Sequence, residues 1–292
     1  MTAPFGRVLT AMVTPFGADG SVDLARAGEL AERLVAQGND GLVISGTTGE
    51  APTTSREEKS ELLRAVVDAV GSRAQVIAGV GSYSTADSIE LSRDAEKAGA
   101  TGLLSVTPYY SKPPPAGVIA HTLALAESTA LPVMLYDIPG RTGMPLSHET
   151  LLELASHPQI VAVKDAKDDL VATGRLIAEC DLPVYCGTDA LNLPLLSIGA
   201  VGFVSVVSHV VTERLVELVN AYAAGDVTKA QAINAALTPV YTGIFRTQGA
   251  ILSKAALELV GFPVGSLRLP LVPARPDQVS QLRADLVAGG VL

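Results

Sequence analysis

A single lysine inside an apolar stretch is the residue best suited to covalent chemistry in this chain. Lys164 lies in the run Ile160–Asp165, where the alternation of side chains along a strand would place it on the same face as Ala162. Burial disfavours the charged form of an amine, and a neutral amine is the nucleophile that condenses with a ketone. We therefore expect Lys164 to form a Schiff base with a small carbonyl substrate. The structural alternatives are a lysine that reaches solvent and a lysine paired with Asp165 or Asp189.

Hydroxyl groups and backbone N–H groups follow other apolar stretches. Tyr136 ends the run Pro132–Tyr136, and a phenol there is suited to pass a proton when imine formation expels water. A packed tyrosine with a satisfied hydroxyl is the commoner role for such a residue. The turn Gly46–Gly49 offers successive N–H groups and the hydroxyls of Thr47 and Thr48, which suit a carboxylate. Threonines flanked by glycines are also ordinary turn residues.

Arg141 lies in the predicted loop Ile138–Gly143, where a guanidinium is suited to bind a second carboxylate through two parallel hydrogen bonds. A solvated loop arginine is the alternative. The four histidines share no metal-ligand spacing, and the pair Cys180 and Cys186 matches neither a metal site nor a disulfide framework. We therefore expect no metal and no cofactor, and two reduced thiols.

The elements that must position these residues alternate regularly along the chain. Short runs rich in β-branched residues alternate with longer amphipathic segments, which predicts an α/β fold, a closed (β/α)₈ TIM barrel. Catalytic groups of such a barrel project from the carboxyl ends of its strands. The predicted strands are Val8–Val13, Gly41–Ser45, Gln75–Val80, Gly102–Val106, Pro132–Tyr136, Ile160–Asp165, Pro183–Gly187 and Gly202–Val206. The predicted helices are Asp23–Gln37, Arg56–Val70, Thr85–Ala98, Ala116–Ser128, His148–Ser156, Leu170–Cys180, Leu191–Ile198 and Val211–Ala224.

Beyond Ala224 the strand pattern stops, so residues 1–224 are expected to form the barrel and residues 225–292 a small helical extension. Three helices are predicted there, over Asp226–Leu237, Gln248–Leu259 and Asp277–Ala288. Prolines are expected to break the chain between them. These prolines are Pro239, Pro263, Pro270, Pro273 and Pro276.

Composition excludes several classes of function. The chain has 292 residues, 48% of them hydrophobic, and a formal net charge of −9 without a basic stripe, which argues against a nucleic-acid surface. No run of 18 apolar residues predicts a membrane span. The first residues lack the pattern of a signal peptide, so a cytoplasmic location without a membrane partner is expected.

Taken together, five ordered stretches resemble the pyruvate-dependent aldolase family that includes N-acetylneuraminate lyase and dihydrodipicolinate synthase. Within it, Gly-Thr-Thr-Gly-Glu and Arg141 resemble the dihydrodipicolinate synthase branch. The resemblance covers the chain from about residue 7 to its end. The five stretches are Ala11–Phe16, Gly46–Glu50, Val106–Tyr110, Leu135–Gly143 and Val163–Asp165.

The resemblance implies a Schiff base between Lys164 and pyruvate, whose enamine attacks L-aspartate 4-semialdehyde. Cyclisation then gives 4-hydroxy-tetrahydrodipicolinate, on the route to diaminopimelate and lysine. It also implies a homotetramer, a dimer of dimers, because Tyr110 reaches the neighbouring subunit's site in the family. The implied proton donor and its hydroxyl relay are Tyr136, Thr47 and Tyr110. The implied substrate-binding residues are Thr48 and Val204 for pyruvate, Arg141 for the semialdehyde carboxylate, and Gly187.

Three questions stay open from the sequence. One alternative is another Schiff-base aldolase that acts on a 2-keto-3-deoxy sugar acid and does not need Arg141; a second is a catalytically silent regulator or binding protein. Many family members bind lysine as an inhibitor, and Arg56 and Lys59 replace histidines of the sensitive ones, so weak or absent lysine inhibition is expected. The charged run Asp165–Asp169 either tunes the site or is a solvated loop that includes Lys167 and Asp168.

Overall fold

The computed structural model describes residues 2–292, and its centre is a closed barrel of eight parallel strands. Each strand pairs with the next along the chain, and the first strand closes on the eighth through the register pair Leu9 and Val204. The prediction of a (β/α)₈ barrel is thereby confirmed. The strands are β1 (Val8–Ala11), β2 (Gly41–Ile44), β3 (Gln75–Gly79), β4 (Gly102–Val106), β5 (Val133–Asp137), β6 (Ile160–Asp165), β7 (Val184–Cys186) and β8 (Gly202–Ser205).

Side chains along each strand alternate between two apolar layers. In β5 and β6, Met134 and Ala162 belong to the buried cluster that fills the barrel, whereas Leu135 and Val163 belong to the cluster between barrel and helices. Both faces of the sheet are therefore buried, which explains the near-continuous apolar runs of the sequence. A polar side chain on the inner face can reach water only at an end of the barrel.

The helices that cover the barrel begin and end within a few residues of their predicted positions, apart from one short helix that was not predicted. The first turn of α2 shows how the sequence starts them: the Ser55 hydroxyl accepts from the Glu58 N–H, and the Glu58 carboxylate accepts from the Ser55 N–H. The helices are α1 (Leu24–Ala36), α2 (Arg56–Val70), α3 (Thr85–Lys97), α4 (Pro115–Ala126), α5 (Pro139–Thr142), α6 (His148–Ala155), α7 (Leu170–Glu179), α8 (Asn192–Ser197) and α9 (Ser208–Ala223).

Three further helices follow the barrel: α10 (Val227–Ile244), α11 (Gly249–Leu259) and α12 (Pro276–Ala288). The predicted break at Pro239 is wrong, because Pro239 lies inside α10. Proline removes a backbone hydrogen bond, but Leu237 and Val240 beside it are fully buried in an apolar cluster that α10 shares with α9 and α12, and this packing stabilises the helix. The division of the chain at residue 225 stays a prediction, since α10–α12 share this cluster with the strands. Across residues 2–292, no helix combines the length and the apolar character that crossing a bilayer requires.

Candidate active site

A cleft of about 640 Å³ opens at the carboxyl ends of the strands. Residues far apart in the sequence meet there because the ends of all parallel strands lie at one rim of the barrel. The cleft brings together these predicted site residues: Thr47, Thr48, Tyr136, Arg141, Lys164 and Gly187.

Lys164 and Tyr136 form the centre of the cleft. They are register partners on β6 and β5, and the Lys164 Nζ lies 4.2 Å from the centroid of the Tyr136 ring. Both residues are buried, with 4% of Lys164 and 6% of Tyr136 exposed. The inner-face position expected for Lys164 thus places a primary amine directly against a phenol ring in a largely apolar environment.

The two carboxylates that offered a structural alternative for Lys164 have other partners. Asp189 accepts hydrogen bonds from the N–H groups of Val206 (2.9 Å) and Val207 (3.1 Å). Asp165 accepts from the backbone and side chain of Lys167 and from Thr173. Among residues 2–292, no ion pair includes Lys164. The amine is therefore available to a substrate.

Gly187, directly after β7, makes room for the lysine. A Cβ atom at this position would lie 2.9 Å from the Lys164 Cε and 3.0 Å from the Asp165 carbonyl oxygen. A larger residue here would displace the end of the Lys164 side chain from its position. Close approach therefore favours glycine at this position.

The Thr47–Thr48 turn is held in a fixed conformation next to the amine. Ser45 and Glu50, on either side of it, both adopt left-handed backbone conformations, with φ of 57° and 55°. The Thr14 hydroxyl donates to the Gly49 carbonyl at 2.6 Å. Non-glycine residues in this conformation are strained and need support from their surroundings. Such a turn presents its N–H groups and hydroxyls at a constant position, as binding of a carboxylate requires.

Much of that support comes from the extension, through a group of charges that we call the extension cluster: Glu50 and Lys254 are buried, and Glu58 and Arg268 are partly buried. The Lys254 Nζ lies 2.7 Å from the Glu50 Oε1, and the Arg268 N–H donates to the Glu50 Oε2 at 3.0 Å. The Arg268 guanidinium also bonds Glu58, which lowers the pKa of that carboxyl to about 2. Burial lowers the pKa of Lys254. The extension cluster therefore ties the Thr47–Thr48 turn to the helices that follow the barrel.

A second group of buried charges lies behind Lys164 and Tyr136, and we call it the strand-tip cluster (Asp137, Asp165 and Lys167). The Lys167 Nζ lies 3.3 Å from the Asp165 Oδ2 and 3.6 Å from the Asp137 Oδ2. The Lys167 side chain is only 9% exposed, so its interpretation as part of a solvated loop is wrong. The reason is that its short segment folds back over the ends of β5 and β6, where two carboxylates are buried. Asp168 is exposed at the rim of the cleft.

Arg141 lies on the single turn of α5, not in an irregular loop as predicted. Pro139 begins this turn and Gly143, with φ of 81°, ends it. Proline at the first position and glycine just past the end are typical of short helices, so the sequence contained the signal. Arg141 is exposed at the mouth of the cleft, where its guanidinium is accessible to an anionic ligand.

One wall of the cleft was missed by sequence reasoning, because it comes from the extension. Thr242, Phe245 and Arg246, at the end of α10, line the cleft together with Gln248. Helical periodicity shows which face of a helix is apolar, but not that its last turn reaches the mouth of a barrel.

Comparison with known proteins identifies the family of the chain. A model of the dihydrodipicolinate synthetase family matches residues 4–288. The chain belongs to this family. The 4-hydroxy-tetrahydrodipicolinate synthase 2 of Streptomyces coelicolor is 60% identical over 288 residues, which cover 99% of this chain and 96% of that relative.

Solved structures of the dihydrodipicolinate synthase family have the same fold. The crystal structure of the enzyme from Cyanidioschyzon merolae, with lysine bound, has a TM-score of 0.96 and 42% identity and covers 99% of both chains. The chloride-inhibited enzyme from Acinetobacter baumannii, complexed with pyruvate, has a TM-score of 0.95 and 35% identity and covers 99% of this chain and all of that one.

Two predicted site residues of this family member do not line the cleft. Tyr110 is 90% exposed and has a left-handed backbone with φ of 69°. Val204 is fully buried among the side chains that fill the barrel, and Val206, two residues further on, lines the cleft instead. Their roles stay predictions. The position of Tyr110 means that one chain alone does not bring together the three residues of the predicted hydroxyl relay.

A neighbouring cleft of about 550 Å³ shares Thr47, Tyr136 and Arg141 with the first and contains Arg56 and Lys59. The Arg56 guanidinium bonds Glu90 and Asp94, which offset its charge. The Lys59 amine donates to the carbonyls of Ala51 and Thr54, and burial lowers its pKa. Of the two cations expected to repel lysine in this family member, Lys59 is the one without a carboxylate partner among residues 2–292.

Proposed function

We propose that the chain condenses pyruvate with L-aspartate 4-semialdehyde to give 4-hydroxy-tetrahydrodipicolinate, as a class I aldolase-type lyase of lysine and diaminopimelate biosynthesis. The observation that carries this proposal is the buried amine of Lys164 against the Tyr136 ring, in one cleft with the Thr47–Thr48 turn and Arg141. The relative from Streptomyces coelicolor is named for this activity, and the similar structure from Acinetobacter baumannii is a complex with pyruvate.

The first half of the reaction uses Lys164, Tyr136 and the threonine turn. The Lys164 amine attacks the keto carbon of pyruvate, and loss of water gives an iminium ion. Tyr136 is next to the amine and passes the protons that this dehydration requires. Thr48 and the N–H groups of its turn hold the pyruvate carboxylate. The iminium is an electron sink, so loss of a proton from the methyl group gives an enamine.

The second half begins when the enamine carbon attacks the aldehyde of the semialdehyde. Arg141 at the cleft mouth binds the carboxylate of that substrate through a charge-assisted pair. The amino group of the semialdehyde then attacks the iminium carbon, which closes the ring and releases Lys164. The overall reaction loses one water, and no metal or redox group takes part in it.

Trapping with borohydride tests the first half directly. Incubation with pyruvate and borohydride should add one reduced pyruvate unit to the peptide that contains Lys164, and Lys164→Met should abolish both the adduct and turnover. Absence of any adduct on the unaltered chain would favour a silent regulator, and an adduct on another lysine would refute the assignment of Lys164.

Replacing Arg141 tests the second substrate. Arg141→Ala should leave pyruvate trapping unchanged and raise the KM for the semialdehyde by roughly tenfold to a hundredfold, the effect of removing a charged hydrogen bond. Arg141→Lys, which keeps the charge but not the two parallel hydrogen bonds, is the matched control. Its KM for the semialdehyde should lie between those of the unaltered chain and Arg141→Ala. An unchanged KM, with turnover of a 2-keto-3-deoxy sugar acid, would favour the sugar-acid aldolase.

We further propose a homotetramer in the cytoplasm. The 90% exposure of Tyr110 supports it, since a second copy of the chain could supply the hydroxyl that one chain does not place in its own cleft. Light scattering on the purified chain gives the oligomeric state. Tyr110→Phe should lower kcat of the oligomer, and a monomeric form of the unaltered chain should show the same loss of kcat. Both results together would support a site to which a second copy contributes Tyr110.

We also propose weak or absent inhibition by lysine. Lys59 supports this, because its half-buried ammonium group in the second cleft opposes a cationic ligand. An inhibition constant for lysine below the millimolar range would contradict it.

A further inference from the structure

The ammonium group of Lys167 lies between two buried carboxylates that directly follow the reacting residues in the sequence. We propose that Lys167 is a positioning residue for the reaction, whose ammonium group holds the ends of β5 and β6 together and thereby fixes Lys164 relative to Tyr136. This inference rests on the proposed function, since Lys164 and Tyr136 are its reacting pair.

The register of the two strands places the groups opposite each other. Tyr136 pairs with Lys164, and the next residues, Asp137 and Asp165, pair in the same way. Because side chains alternate along a strand, the reacting pair points into the barrel and the two carboxylates point to the opposite face. Any change in the separation of the carboxylates therefore moves the amine relative to the phenol.

Two carboxylates on adjacent strands repel each other, and both are almost fully buried, with 0% of Asp137 and 2% of Asp165 exposed. Burial raises the pKa of Asp137 to about 6, and the Lys167 ammonium acts in the opposite direction. The charged groups that face Asp137 are Lys167 and Asp165. The single cation between them is thus the attraction that offsets their repulsion.

Backbone contacts show that this short segment is built to place the lysine. The Ala166 N–H donates to the Asp137 carbonyl at 2.9 Å, and the Lys167 N–H donates to the Asp165 Oδ1 at 3.0 Å. Asp169 then caps α7 by accepting from the Ala172 N–H. The chain turns immediately after β6, and the Lys167 side chain returns over the ends of both strands.

The test combines kinetics and trapping on the full chain. Lys167→Met keeps the length of the side chain and removes its charge. It should lower kcat and the rate of pyruvate trapping at Lys164 by roughly tenfold or more, because small misplacements of reacting groups have effects of this size. The KM for the semialdehyde should change by less than about threefold, since Arg141 is not touched. Lys167→Arg, which restores a cation, should recover most of the loss.

Thr173→Val is the matched structural control. Its hydroxyl donates to the Asp165 Oδ2 at 2.6 Å, so the variant loses a buried bond in the same cluster while Lys167 stays in place. If Lys167 contributes only to stability, both variants should lower Tm, and the folded protein of each should have the kcat of the unaltered chain. The positioning role predicts a fall in kcat for Lys167→Met only.

Several outcomes overturn the inference. A folded Lys167→Met variant with kcat and trapping rate within about twofold of the unaltered chain refutes it and leaves the proposed function intact. If that variant does not fold, Lys167→Gln, which keeps a hydrogen-bond donor but not the charge, decides: a loss of kcat of about threefold supports the inference, and an unaltered kcat refutes it. No pyruvate adduct on the unaltered chain would overturn the proposed function and the inference with it.

Discussion

The strand-tip cluster and the extension cluster both place a lysine among buried carboxylates, yet they are assembled over very different lengths of chain. The strand-tip cluster is built from two adjacent strands and the segment that follows them, within residues 137–167. In the extension cluster, Arg268 contacts Glu50 and Glu58 across 218 and 210 residues. The barrel therefore positions the amine by itself, whereas the Thr47–Thr48 turn, which we propose binds the pyruvate carboxylate, depends on the extension.

This difference predicts two kinds of response to mutation. Changes near the strand-tip cluster should act on the chemical step, because they move Lys164 against Tyr136. Changes in the extension cluster should act on pyruvate binding and on stability, because they release the Thr47–Thr48 turn.

The largest effect is expected for Lys254→Met. This variant leaves the buried Glu50 carboxylate without its cation, and breaking a buried pair in this way destabilises a protein by about 3–5 kcal/mol. Urea-induced unfolding at constant protein concentration measures the loss, and the pyruvate KM should rise more than kcat falls. Glu50→Gln/Lys254→Met removes both charges and should cost less than the single change. If Lys254→Met destabilises the protein less than the double variant does, the dependence of the Thr47–Thr48 turn on the extension is contradicted.

Gly187→Ala should have a smaller effect on stability and a large one on the chemical step. The added Cβ would lie 2.9 Å from the Lys164 Cε, and overpacking of this kind costs about 1–3 kcal/mol. We expect kcat and the trapping rate to fall. Gly140→Ala, where a Cβ would meet nothing within 4 Å, is the control and should leave both rates unchanged. Equal rates for the two variants would show that Gly187 does not constrain the amine.

The strand-tip cluster and the rest of the core should respond in opposite ways when the pH is lowered. Burial lowers the pKa of His209 from 6.5 to about 4, so the unfolded chain binds this proton first as the pH falls. The protein should lose about 2 kcal/mol between pH 7 and 5 from this residue. Asp137 has the opposite effect on stability. Its pKa is raised to about 6, so the folded state binds a proton first as the pH falls, and this stabilises the protein by about 1 kcal/mol between pH 7 and 5.

Asp137→Asn removes that compensation. The variant should therefore lose more stability than the unaltered chain when the pH is lowered from 7 to 5, which thermal unfolding at both pH values measures. An equal loss would mean that Asp137 does not titrate in this range in the folded protein.

The smallest effect is expected for an ion pair that belongs to neither cluster. The Lys229 Nζ lies 2.8 Å from the Glu217 Oε1, but both side chains are half exposed. Exposed pairs contribute little, because water and salt screen them. Lys229→Met should leave Tm and kcat unchanged within error. A clear loss of Tm would show that burial is not what distinguishes the two clusters.

The barrel and the centre of the cleft could be predicted from the sequence, because they follow from local patterns. Lys164 and Tyr136 end apolar runs, and the closed parallel barrel brings such ends to one rim. Their positions in the strands are also fixed by alternation, which needs no knowledge of distant residues.

The two clusters could not be predicted, because they depend on where long side chains end. The sequence around Lys167 does not show whether this lysine forms a buried ion pair or lies in a solvated loop. The sequence around Lys254 and Arg268 likewise gives no sign that they contact Glu50. The continuation of α10 through Pro239 depends likewise on packing from other parts of the chain. The role of Tyr110 stays a prediction, since one chain leaves it in solvent.

The separation of 218 residues between Glu50 and Arg268 also affects how the molecule is made. At about 5–20 residues per second, a ribosome needs roughly 10–40 s to proceed from one to the other. When that interval begins, the nascent chain already contains Thr47 and Thr48, and it acquires Tyr136 and Lys164 long before Arg268, which holds the threonine turn. We therefore expect chains released from the ribosome, and not those still being translated, to be the first to bind pyruvate.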